Sequence, residues 1–110
     1  MKKMIAALAA ALFLAPAAQA ADAANGKEAF LKHGCFQCHG TQGQGGSAGA
    51  KLAPDPIPKE TFVGFVRSTN RAMPPYHEAI LSNADLDDIY AYLQSIPKTP
   101  DHKTIPLLSQ

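Results

Sequence analysis

A chain of 110 residues with 10 basic and 9 acidic side chains carries a formal net charge of +1. That length holds one domain, and the near-balance of charge excludes the clear basic excess that nucleic-acid binding requires. With no tryptophan, five phenylalanines and three tyrosines, the chain has few large apolar side chains, and a domain this small buries a modest core that commonly needs a staple.

The first twenty residues read apart from the rest. Lys2 and Lys3 give a positive start, residues 5–14 are an apolar run, and Ala18-Gln19-Ala20 follows Pro16 as a small-residue cleavage site. This is the pattern of a secretory signal peptide removed after Ala20. The apolar run is shorter than the roughly 20 residues a membrane span needs. The expected division is residues 1–20 as signal peptide and 21–110 as the mature domain, with no membrane span once the signal is gone. Without Lys2 and Lys3 the mature chain holds 8 basic and 9 acidic residues, a net charge of −1.

Residues 22–32 predict a short helix, with Asp22 or Asn25 as N-cap, Gly26, Ala29 and Phe30 on one face, and Gly34 as its end. Residues 40–49 hold five glycines among polar residues and predict a flexible loop. Pro54, Pro56 and Pro58 predict an extended stretch, with Pro58 as the first position of the next helix. There Phe62, Phe65, Val66 and Thr69 fall at i, i+3, i+4 and i+7. Residues 70–76 form a loop containing Pro74-Pro75. The last helix is the best marked: Ser82 with Asp85 three residues on is a capping-box pattern, and Asp85, Asp87 and Asp88 suit the positive end of the helix dipole. Leu86, Ile89, Leu93 and Ile96 recur at helical spacing, with Tyr90 and Tyr92 beside them, until Pro97 stops the helix. Residues 98–110 have no period and predict a surface tail. No alternating strand pattern and no internal repeat occurs, so the expected class is all-α.

One motif carries chemistry. Cys35-Phe36-Gln37-Cys38-His39 is a C-x-x-C-H sequence, the signature of c-type haem attachment. Each thiol adds to one vinyl group on one porphyrin edge, two intervening residues let a single turn of chain span both vinyls, and His39 is then directed at the iron, for which imidazole is a good ligand. A thioredoxin-like motif needs a βαβ setting and a zinc site needs four ligands, neither of which the chain offers; a plain Cys35–Cys38 disulfide leaves His39 and the small core unexplained. The expected cofactor is one covalently attached haem c. For the second axial position Met73 is the leading candidate. It is the only methionine outside the signal peptide and lies in the proline-flanked loop Arg71-Ala72-Met73-Pro74-Pro75-Tyr76, where a core gap-filler is out of place. His77 is the rival. His33 lies too close to the attachment site to reach the other haem face, and His102 falls in the tail. The glycines of residues 43–48 faintly echo a dinucleotide fingerprint, but no strand precedes them and no P-loop Lys-Ser/Thr pair follows.

Taken in order, these features resemble class I cytochrome c: a first helix with Gly26 and Phe30, Cys35-x-x-Cys38-His39, a glycine-rich loop, Met73-Pro74, and a last helix with Tyr92-Leu93. The resemblance covers nearly the whole mature chain. It implies three to four short helices wrapped around the haem, with Gly26 and Phe30 crossing Tyr92 and Leu93 and with Leu52 against the haem. The short stretch from His39 to Met73 and the patterns Met73-Pro74-Pro75-Tyr76 and Asp88-Ile89-Tyr90-Ala91-Tyr92-Leu93 are similar to small exported bacterial members, which implies a periplasmic location. Some of those accept electrons from dehydrogenases or serve as their subunits. The family usually has a proline after the loop whose carbonyl holds the proximal histidine. Here Ala50 stands in that place and Pro54 is the next proline, so the carbonyl of residue 50 and that of Pro54 are both candidates for orienting His39. The resulting expectation is a carrier, not an enzyme. It passes single electrons between redox proteins, a dehydrogenase and a terminal oxidase or reductase among them, through a His39/Met73 haem. The alternatives are a subunit of a periplasmic dehydrogenase, or a haem enzyme or gas-binding protein with a labile distal site.

Overall fold

The computed structural model describes residues 20–109; the expected signal peptide therefore lies almost wholly outside the described residues. Four α-helices and one 3-10 turn follow one another, and no strand occurs among the described residues. Helix α1 spans Ala23–Lys32, α2 Phe36–His39, α3 Lys59–Ser68 and α4 Asn83–Ser95. No described helix is long and apolar enough to cross a membrane.

The caps place α1 and α4 where the sequence expects them. Asp22 caps α1, its carboxylate accepting from the backbone N–H groups of Ala24 and Asn25, and Ser82 caps α4 through Asp85 N–H at 3.1 Å; such caps satisfy donors that a helix start leaves open. Asn25, the other candidate, is inside α1. Its amide instead donates to Asp88 at 2.6 Å and to Asp85 at 3.3 Å, tying α1 to the start of α4. Pro58 stands one position before its expected place, as the N-cap of α3.

Helices α1 and α4 cross to make the centre of the core. Phe30 and Leu93 are fully buried, a gain of about 1.5–3 kcal/mol for each such side chain. The Phe30 ring meets Tyr92 edge-on at 5.7 Å between centroids. Gly26 also sits in this crossing. It lies one turn earlier, against the backbone of Asp88 and Ile89, so close that a methyl group would overlap the Asp88 carbonyl. On α3, Phe62 and Val66 are buried and Phe62 packs on Tyr90 at 5.4 Å.

Two segments differ from expectation. The glycine-rich loop is closed by its own backbone: Gly45 N–H donates to His39 O, Gly46 N–H to Gly49 O, and both Leu52 and Ala53 N–H to Gly43 O. Gly43 reaches that position at φ 66°, a conformation costly for residues with a side chain. The proline segment is bent, not extended, with Asp55 at φ 58°. Proline fixes only its own φ, and Asp tolerates the left-handed region between the two prolines. The tail is exposed as expected, but it carries a 3-10 turn, His102–Thr104, capped by Asp101. It is tied back by Lys98 to Asp55 at 3.1 Å.

The three tyrosines fasten loops to this frame. Tyr76 OH donates to His33 O at 2.8 Å, Tyr90 OH to Ile57 O at 2.9 Å and Tyr92 OH to Thr41 O at 2.8 Å. Each phenol has an apolar ring for the core and a polar end for a loop carbonyl.

A candidate haem cavity

One turn of helix arranges the C-x-x-C-H residues. His39 N–H donates to Cys35 O at 3.0 Å, so Cys35, Cys38 and His39 stand at i, i+3 and i+4, on one face. Cys35 N–H donates to Phe30 O at 3.1 Å, joining this turn to the end of α1. The two cysteines are not bonded to each other. Burial pushes the Cys35 thiol up to about 11, against a smaller downward pull from a backbone hydrogen bond. That is opposite to the lowered pKa of a redox-active C-x-x-C thiolate.

All three side chains open onto a cavity of about 510 Å³, well within the size range of cofactor sites. Its wall is mostly apolar and comes from every α-helix and the segments between: Phe30 of α1, Leu52 and Ile57 before α3, Phe62, Phe65 and Val66 of α3, Leu81, and Leu86 and Ile89 of α4. Leu52 lies where the resemblance puts it. Phe65 and Ile57 are 42% and 51% exposed, apolar surface that a flat hydrophobic group in the cavity would cover. Among the described residues, Lys51 and Arg71 are the charged residues of the wall, and no carboxylate joins them there.

His39 is aimed by a backbone carbonyl. Its Nδ1 lies 2.7 Å from Ala50 O, so residue 50, not Pro54, supplies the carbonyl. A carbonyl can only accept, so Nδ1 carries the proton and Nε2 keeps its lone pair for a metal. Gly49 makes this approach possible: a Cβ there would lie 2.6 Å from Cys38 O and 3.0 Å from His39 Nδ1.

Met73 reaches the same cavity from the chain between α3 and α4. It is partly buried and packs against the core. The other histidines do not line the cavity. His77 is exposed, His102 sits in the tail, and His33 packs edge-on to Tyr76 with its Nε2 buried and unpartnered. Among the described residues no group of three His, Cys, Asp or Glu side chains gathers as a metal site. Covalent haem c fits what is present: two thiols on one face, one imidazole with its distal nitrogen free, a thioether, and an apolar slot.

Sequence reasoning missed part of this wall. Leu81 is 1% exposed and lines the cavity, yet it lies outside any helical repeat. Arg67 of α3 donates two hydrogen bonds to carbonyls of the Met73 segment and one to Asn83 of α4, contacts that leave no sequence signal.

No curated protein and no solved structure matched the chain. The family described as Cytochrome C oxidase, cbb3-type, subunit III matches residues 21–93, a span that includes α1, the C-x-x-C-H turn, the cavity wall and α4 as far as Leu93. The chain belongs to that family and is a class I c-type cytochrome, all-helical and built for haem.

Proposed function

We propose that the chain is an exported, monohaem electron carrier with Cys35 and Cys38 as the thioether residues and His39 and Met73 as axial ligands. The observation that carries this reading is the meeting of these four side chains on one apolar cavity, with His39 Nδ1 held by Ala50 O at 2.7 Å. When bound, the haem supplies an iron that takes one electron from a donor and passes it to an acceptor. The chain's own residues do the rest. Ala50 O sets the His39 tautomer and ring plane, and the walls from Phe30 to Ile89 exclude water, which together with the Ala50 hydrogen bond tunes the potential. Met73 fills the distal side, which suits a carrier and leaves no place for oxygen. Export follows from the segment before Ala21, and periplasmic redox proteins are the partners.

The test begins with attachment. Haem is expected to remain on the chain through denaturation and acid-acetone extraction, with a tryptic peptide holding Cys35 and Cys38 heavier by one haem. Met73→Ala is expected to keep that attachment, lose the near-infrared thioether-to-ferric-iron band and bind carbon monoxide readily. An unchanged spectrum would transfer the distal role to His77. The family's description names an oxidase subunit, which favours a second reading, a haem subunit held within a larger redox complex. Co-purification of a stoichiometric partner at moderate salt distinguishes it from a free carrier.

A further inference from the structure

The segment that carries Met73, residues 69–82, has no helix or strand to hold it. Among the described residues, the one hydrogen bond made between Asn70 and Pro75 is Arg71 N–H to Thr69 Oγ1 at 3.2 Å. It is fastened where it returns to the core. Tyr76 N–H donates to Val66 O at 2.9 Å and Tyr76 OH to His33 O at 2.8 Å. Arg67, in the last turn of α3, then spans the whole return: one guanidinium nitrogen donates to Tyr76 O at 2.9 Å and Leu81 O at 2.6 Å, the other to Asn83 Oδ1 at 2.7 Å. Arg67 is partly buried and does not line the cavity. A planar fork with fixed donor directions can hold three acceptors from three parts of the chain at once. A lysine ammonium on its flexible stem cannot reproduce that geometry.

We propose that Arg67 is a positioning residue for the distal ligand: it clamps the Met73 segment to α3 and α4 and so sets how readily the distal coordination site opens. This rests on the reading of Met73 as an axial ligand. Loss of the clamp leaves two carbonyls of the segment without a donor and frees its root, while the His39 side is untouched.

The experiment uses the haem-loaded protein and imidazole as a probe of the ferric distal site. Wild type is expected to show the thioether-to-iron band at neutral pH; its absence overturns the Met73 reading and the clamp with it. Given that band, Arg67→Gln and Arg67→Lys are expected to bind imidazole about tenfold tighter or more, since hydrogen bonds to charged groups are among the stronger ones. They should also lose the band at lower pH than wild type. Asn83→Ala, which removes one arm of the clamp together with the Asn83 amide bond to Glu78 at 2.8 Å, is expected to shift both readings the same way by less, and it decides the matter where the Arg67 variants do not fold. Tyr92→Phe, which loses the distant bond to Thr41 O, controls for general loosening: it is expected to lower stability with imidazole affinity unchanged. Imidazole affinity and band-loss pH equal to wild type in the variants that fold overturn the clamp and leave Met73 ligation standing. Equal shifts in Tyr92→Phe overturn it too, by showing that any loss of stability opens the site.

Discussion

His39 shows how much of a site is set by atoms that carry no side-chain identity. Its ring is oriented by Ala50 O, a group that every residue has, and the approach is possible because Gly49 leaves room beside Cys38 O and His39 Nδ1. Gly49→Ala is expected to disturb the proximal side specifically. The added methyl meets backbone, not the flexible end of a side chain, so the loop or the His39 ring has to move, at a cost of about 1–3 kcal/mol by analogy with overpacked sites. Denaturant unfolding of the haem-loaded variant measures the cost, and its low-spin absorption and reduction potential report whether His39 has moved. An unchanged potential together with full stability would mean that the loop relaxes without touching the ring. The C-x-x-C-H residues stand out in the sequence because thioether attachment would require that spacing, and Met73 because residues 21–110 hold no other methionine; the structure brings all four side chains to one cavity. Ala50 was legible only as one of two places, since a carbonyl leaves no mark in a sequence.

At the scale of elements, α1 and α4 were readable from their caps and apolar spacing, because both signals are local. Their crossing was readable only in outline. Gly26 packs within it on the backbone of Asp88 and Ile89, and the side chains across the whole interface, not the pair of residues that mark it, set the register at which two helices interlock. Gly26→Ala is expected to force the helices apart at their closest point and to destabilise the fold by about 1–3 kcal/mol, read as a lower urea midpoint with an unchanged slope. Because Phe30 and Cys35 are joined through the Cys35 N–H to Phe30 O bond, the same variant should loosen the attachment turn and lower the yield of correctly attached haem. Two segments without period differ from expectation: the glycine loop is hydrogen-bonded to itself and the proline segment bends at Asp55. The tail is exposed as expected and adds a 3-10 turn capped by Asp101. Backbone bonds close the glycine loop, and a left-handed residue bends the proline segment; residue types only permit either.

For the whole molecule the open question is how the haem edge meets a partner, and the charge distribution bears on it. From residue 23 to residue 76 the sequence has six basic and three acidic residues; from 77 to 110 it has two basic and five acidic. The fold sharpens one end of that asymmetry and blunts the other. Lys51 and Arg71 stand at the cavity wall, which no carboxylate lines among the described residues, whereas Lys59 pairs with Asp87 at 2.9 Å and Asp55 with Lys98 at 3.1 Å across the two halves. Asp22, Asp85 and Asp88 gather at the start of α1 and α4, joined by the Asp22 N–H and the Asn25 amide. Residues 21–110, with a net charge of −1, thus present a positive cavity mouth, and such a field steers encounter with an acidic partner site without adding much affinity. Electron transfer from the reduced protein to its partner is therefore expected to slow as salt rises, most steeply between about 0.01 and 0.15 M, where the Debye length falls from about 30 Å to about 8 Å. Stopped-flow second-order rates across that range test it, and Lys51→Gln with Arg71→Gln is expected to flatten the dependence. A rate that ignores salt in the wild type would instead assign docking to the apolar rim of the cavity. A rate that rises with salt would mean like-charge repulsion, with a basic partner site facing the Lys51 and Arg71 mouth.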